Sequence, residues 1–273
     1  MKQVFSLFLC LLPGIVAPAQ SRFMIETNMG SFLPLDPTRF GDYHALIVAV
    51  QRYDGTGWAD PGPTIEYGRT LKQILTEKYT FPASNIRFLQ DPTRQEIIAE
   101  FESLRGELGE NDNLLIFYAG LGTWLEEVSQ GYWIPRDGDY ENSKTWVPNS
   151  VVKDYVSRIN TRNTLLIADA RLGGVDSMRS GGGAISDSAM AVMSRQKSRR
   201  AIIGNSMRDL LVNKDFVQML IQVLDKNQKR LVTAQQVFSD IVGVVRDISG
   251  QAPAYGPIQG AYDEGGDFIF VRK

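Results

Sequence analysis

Asn113-Leu114-Leu115-Ile116-Phe117-Tyr118-Ala119-Gly120-Leu121-Gly122 runs from seven strand-type residues into a glycine-flanked turn. A stretch this apolar and this short, without polar alternation, is a strand covered on both faces, as in a parallel sheet. Tyr43–Val50 (YHALIVAV) upstream and Thr164–Ala168 (TLLIA) downstream have the same character. Helical patterns separate them. Ile65, Leu71, Ile74 and Leu75 fall near helical spacing over Thr64–Lys78. Ile97, Ile98, Phe101, Leu104 and Leu108 do so after Thr93, with Glu96 at capping-box distance. Ile86–Leu89 reads as a short strand between these helices, and Val151–Ile159 as a helix before the TLLIA strand. The alternation predicts an α/β fold, an open and mostly parallel sheet flanked by helices on both faces. Beyond it, Arg200–Ile203 reads as a strand, Asp215–Leu224 and Thr233–Val245 as amphipathic helices, and Asp267–Val271 (DFIFV) as a terminal strand.

Met1 and Lys2 open the chain with positive charge, Val4–Val16 is mostly apolar, and Ala17-Pro18-Ala19 fits the small-x-small cleavage rule. Residues 1–19 therefore read as a secretory signal peptide, residues 20–42 as an extended leader and residues 43–273 as the domain. The apolar run is short of the roughly 20 residues a membrane span needs. The expectation is an exported protein, periplasmic or secreted, with no stable membrane span after cleavage. Cys10, the only cysteine, lies inside the signal, and Phe8-Leu9 before it are unlike a lipid-attachment site.

Lys and Arg total 29 against 31 Asp and Glu, a net charge of −2, so no global field collects nucleic acid or anionic membrane. One cysteine and one histidine exclude an intrachain disulfide and a cysteine–histidine zinc site. No cofactor is expected. Gly120-Leu121-Gly122 has Leu125 where a dinucleotide fingerprint needs its third glycine, and the glycine-rich Gly173–Gly183 lacks the Lys-Ser/Thr ending of a P-loop.

In open α/β sheets, ligand chemistry collects in the loops leaving the carboxyl ends of the strands. Two such loops are Tyr118-Ala119-Gly120-Leu121-Gly122 and Asp169-Ala170-Arg171-Leu172-Gly173-Gly174. They resemble the caspase-like clan of cysteine peptidases, specifically bacterial caspase-domain proteins related to metacaspases. Members of that family carry Tyr-Ala-Gly-His-Gly and Asp-Ser/Ala-Cys-Phe-Ser-Gly at these places, with histidine as base and cysteine as nucleophile. The resemblance extends over roughly Tyr43 to Val271 and includes Gly131-Tyr132-Trp133-Ile134-Pro135 and Gly265-Gly266-Asp267-Phe268. It places Leu121 at the base position and Arg171 at the nucleophile position. Leucine exchanges no proton, and a permanently protonated guanidinium is no nucleophile. His44, inside the first strand, reads as a packed or capped core residue.

The resemblance implies a catalytically inactive caspase-like domain that works by binding a protein or peptide, with an active caspase-like relative as one candidate partner. The alternatives are residual hydrolase activity and a structural envelope component. Asp169 sits where metacaspase-like members bind a basic substrate side chain, so basic peptides are expected ligands, unless Arg171 pairs with Asp169 and closes the cleft. Asn205 and Ser206, in Gly204-Asn205-Ser206-Met207-Arg208, and Trp124 are further candidate binding residues. Arg208 stands where a serine-hydrolase elbow would close on glycine. Ser194–Arg200 (SRQKSRR) reads as a solvated basic edge or a patch for an acidic partner. Asp137, Asp139 and Glu141 are spaced like calcium ligands, but an EF-hand count from Asp137 ends on Pro148 where glutamate is needed.

Overall fold

The computed structural model describes residues 40–169, 187–193, 195–204, 214–250 and 252–273. Its strands in chain order are β1 (Tyr43–Ala49), β2 (Ile86–Gln90), β3 (Asn113–Ala119), β4 (Gly122–Leu125), β5 (Gln130–Trp133) and β6 (Val147–Pro148). They continue as β7 (Asn163–Ala168), β8 (Ser198–Ile203), β9 (Leu231–Thr233), β10 (Ala254–Pro257) and β11 (Ile269–Val271). Its α-helices are α1 (Thr64–Lys78), α2 (Arg94–Glu107), α3 (Asn149–Arg158), α4 (Asp187–Met193), α5 (Lys214–Lys226) and α6 (Ala234–Ser249).

The three apolar runs lie side by side at the centre of a six-stranded sheet of order β10-β8-β7-β3-β1-β2. Every pairing in it is parallel except that of β10, which runs antiparallel along β8 as an edge strand. Pro257, which has no amide to donate, is tolerated there because an edge strand bonds on one side only. Leu46, Val48, Leu114, Ile116 and Tyr118 face one layer, filled by Ile97, Phe101 and Leu104 of α2 and Val152 and Val156 of α3. Ile47 faces the other way: a Cβ at Gly68 of α1 would stand 3.1 Å from its Cγ2. Helix α5 packs on both α1 and α6. The expected capping box is present, Thr93 accepting from the Glu96 amide and Glu96 from the Thr93 amide. Thr233 and Gln236 repeat it at α6.

Several small features differ from the sequence reading. Strands β4, β5 and β6 form a separate antiparallel sheet above the carboxyl end of β3. The DFIFV segment is a strand only over β11, and it pairs with β9 instead of joining the main sheet. Phe40, at the end of the expected leader, is 5% exposed, and its carbonyl accepts from Asn113 Nδ2. No helix among the described residues is long and apolar enough to cross a membrane.

The basic edge expected at Ser194–Arg200 holds for Arg195, which is exposed, and for half-buried Lys197, but not for the end of the run. Arg199 and Arg200 are 1% and 6% exposed inside β8. Arg199 spends all five guanidinium N–H groups on carbonyls: Nε on Val156 (3.0 Å), Nη1 on Arg162 (3.2 Å) and Ser198 (2.8 Å), Nη2 on Ile159 (3.1 Å) and Thr161 (2.8 Å). It thereby caps the carboxyl end of α3, where the helix dipole favours a cation. Burial pulls its pKa down to about 10, with Asp263 and Glu264 opposing, so it stays charged at neutral pH. Arg200 is tied to Asp263 through Nε at 3.0 Å.

Candidate functional site

Strand β1 sends the chain toward β2 on one side while β3 lies on its other side, so the switch point of the sheet falls between the carboxyl ends of β1 and β3. Leu121 stands there, fully buried. Its amide donates to the Tyr53 hydroxyl at 2.7 Å, and its carbonyl accepts from the Tyr118 hydroxyl at 2.6 Å and the Ile134 amide at 3.0 Å. Its side chain joins Ile134 and Trp146 in a small apolar cluster roofed by Tyr53, Trp58, Leu125 and Tyr132. Burial raises the phenol pKa values of Tyr53 and Tyr118, so both hydroxyls stay neutral hydrogen-bonding groups.

The glycine before Leu121 answers to packing. A Cβ at Gly120 would lie 2.8 Å from the Tyr118 Oη and 3.2 Å from Val50 Cβ. Tyr118 stacks on Trp133, ring centroids 4.3 Å apart and 11° from parallel. Trp58 meets Tyr53, Tyr140 and Trp146 at 5.9, 4.9 and 5.8 Å and anchors its indole N–H on the Gly138 carbonyl at 2.9 Å. Tyr53, Trp58 and Tyr140 escaped the sequence reading. Tyr53 and Trp58 lie in a glycine-broken loop with no period to mark them, and the usable signal was their aromatic density just past a strand end.

Asp169 directly follows β7, beside the loop that Leu121 opens, and is 1% exposed. Its amide donates to the Tyr118 carbonyl at 3.3 Å. Gly204 closes on it from β8: a Cβ there would stand 2.2 Å from Asp169 Oδ1 and 2.8 Å from the Phe216 ring. Arg171, Asn205, Ser206 and the Gly173–Gly183 stretch lie outside the described residues. Trp124 is half-buried on β4, opposite Gly131 of β5.

Asp91, just past β2, was also missed. Its backbone is left-handed, with φ of 48°. Its carboxylate accepts from the Gln51 and Arg52 amides at 2.7 and 2.9 Å and from Arg52 Nε at 2.8 Å, bracing the exit of β1. Burial opposes its ionisation, but those three donors outweigh it and hold the carboxyl below the usual range.

The single histidine is remote from all this. His44 is the second residue of β1, at the amino edge of the sheet, about 16 Å along the strand from Ala49. It is half-buried, with Nε2 3.9 Å from Asp112 Oδ2. Burial holds its pKa below the ordinary value, against the pull of Asp112 and Asp42. Asp137 Oδ1 accepts the Arg94 amide and Asp139 Oδ1 the Glu141 amide. Among the described residues no group of three or more His, Cys, Asp or Glu side chains is placed to hold a metal ion.

No family model and no curated protein matches the chain. Among solved structures it is similar to a structural-genomics protein from Geobacter sulfurreducens, with 14% identity and a TM-score of 0.55 over 83% of this chain and 99% of that one. It is also similar to the Drosophila initiator caspase Dronc, with 13% identity and a TM-score of 0.53 over 84% of this chain and 83% of the caspase. At such identities the likeness speaks to architecture alone: the chain has a caspase-like α/β fold, a six-stranded and mostly parallel sheet between helices.

Proposed function

We propose that this protein is a catalytically silent caspase-like domain, exported from the cell, that acts by binding a protein or peptide. One observation carries the reading: the switch-point position that the family resemblance gives to the base is a leucine, fully buried and bonded through both its amide and its carbonyl. A thiolate attack needs an imidazole within hydrogen-bond reach, and His44 belongs to the opposite edge of the sheet. With Asp169 buried, this reading assigns recognition to the aromatic side chains around Leu121. There Tyr140 is 46% exposed against Trp58, and large aromatic side chains of this kind anchor protein contacts.

The test pairs two measurements on the purified protein: turnover of a mixed set of fluorogenic Arg and Lys peptides, with and without calcium, and calorimetric binding of the same peptides. Binding without turnover is the expected result, weakened by Tyr140→Ala. Robust cleavage would overturn the proposal. Silence in both would favour a structural role, in which the filled switch point is a plug.

A further inference from the structure

At the amino edge of the sheet, helices α1 and α5 end side by side, and the chain returns past them at Arg272 and Lys273. Backbone bonds tie this corner together. The Lys273 amide donates to the Lys78 carbonyl at 2.9 Å, and the Arg272 amide to the Arg230 carbonyl at 2.8 Å. Lys78 Nζ donates to Asp225 Oδ1 at 2.6 Å, and Arg272 Nη1 to the Asn227 carbonyl. Six cationic side chains are thus neighbours, Lys78, Lys226, Lys229, Arg230, Arg272 and Lys273, with Asp225 committed to Lys78. Against these six stand Asp225, Glu77 next to Lys78 in the chain and Asp240 on the groove wall, so the corner keeps an excess of positive charge in a chain whose net charge is only −2.

Helix-end electrostatics account for part of it, since Lys78 and Lys226 lie in the last turns of α1 and α5. They do not account for Lys229, which lies outside any helix. Lys226 and Lys229 are exposed, and among the described residues neither ammonium has a hydrogen-bond or ion-pair partner. Both line a groove of about 420 Å³, together with Gln222, Asn227, Gln228 and, on the α6 wall, Asp240. The rim is held in place. Asn227 Oδ1 accepts the Lys229 amide at 3.0 Å, and its Nδ2 donates to the Lys229 carbonyl at 3.0 Å and the Tyr79 hydroxyl at 3.2 Å. A fixed rim lowers the ordering cost of binding.

We propose that this corner docks a carboxylate-rich segment of a protein partner, seating one acidic side chain in the groove between Lys226 and Lys229. The groove has an apolar floor of Val223, Leu224, Val232 and Val237 under a rim of lysine and amide side chains, and none of the exposed large apolar side chains (Val128, Tyr140, Val192, Val244, Ile248, Tyr262) belongs to it. Membrane surface binding draws on such apolar groups as well as on basic ones, so a polar protein segment fits better. The inference is independent of the reading at the carboxyl edge.

The probe is fluorescein-labelled hexaglutamate, followed by fluorescence anisotropy with the full chain. Binding is expected, weakening as salt is raised, and at least about tenfold weaker in the double variant Lys226→Glu, Lys229→Glu. The variant Lys226→Arg, Lys229→Arg should keep it, and thermal melting should show all three proteins folded. If the reversal variant does not fold, Lys229→Gln alone carries the test. Absence of binding, or equal affinity in a folded reversal variant, would overturn the proposal. So would binding to phosphatidylglycerol vesicles that hexaglutamate fails to displace, which would assign the patch to a membrane surface.

Discussion

Replacing Arg199 with methionine tests the energetic role of the buried cation. Methionine keeps part of the aliphatic volume but removes five N–H donors from the carbonyls of Val156, Ile159, Thr161, Arg162 and Ser198. Where a buried ion pair is exchanged for apolar side chains, both partners leave together, and the cost is small. Here the acceptors are backbone and stay behind. Each buried carbonyl left unpaired costs about 1–3 kcal/mol, while water entering the vacated space recovers part of that. Breaking one side of a buried charged network typically costs about 3–5 kcal/mol, and that range is expected here. Against a total stability of about 5–15 kcal/mol, the melting temperature should fall by about 6–20 °C. Arg199→Lys, with three donors for five acceptors, should fall between. Denaturant unfolding by circular dichroism measures both. A methionine variant within about 1 kcal/mol of the parent would refute the reasoning, showing that the carbonyls find other donors.

Leu121→His should cost about 2–4 kcal/mol, because an imidazole enters a fully buried apolar cluster, and it should restore no peptide turnover; chemical denaturation and a fluorogenic peptide assay check the two halves. Gly204→Ala should lower the melting temperature, at a cost of about 2 kcal/mol or more, since its Cβ would stand 2.2 Å from Asp169 Oδ1 and 2.8 Å from the Phe216 ring. His44 ties stability to pH. Unfolded, it takes a proton near its ordinary pKa of 6.5; folded, burial lowers the pKa despite Asp112 and Asp42. Its contribution is therefore complete above that pH and is lost as pH falls below it, so His44→Gln should flatten the melting temperature against pH just under 6.5.

The central sheet was legible because β1, β3 and β7 each bury both faces and so write continuous apolar runs into the chain. Thr93 and Glu96 were legible for a local reason, a cap that needs nothing beyond its own turn. Strands of two to four residues, such as β4, β6, β9 and β10, are too short to show a period, and tertiary contacts alone define them. Arg199 and Arg200 misled because charge reads as exposure unless the acceptors are known, and those of Arg199 lie up to 43 residues away. At the candidate site, the kind of residue at 121 was readable, but its hold on Tyr53, 68 residues distant, was not.

The Tyr53–Leu121–Tyr118 contacts bear on how such a protein can change. The leucine is shared property: its amide steadies the β1 exit, its carbonyl the β3 exit, and its side chain the aromatic roof. An ionisable residue introduced there alone meets a closed apolar wall and lowers stability before it offers any chemistry. Tyr53, Trp58 and Trp146 all pack on the side chain at this position, so a larger or polar residue there is felt by each of them. A change at this one position is therefore felt at two strand exits and in the aromatic roof at once.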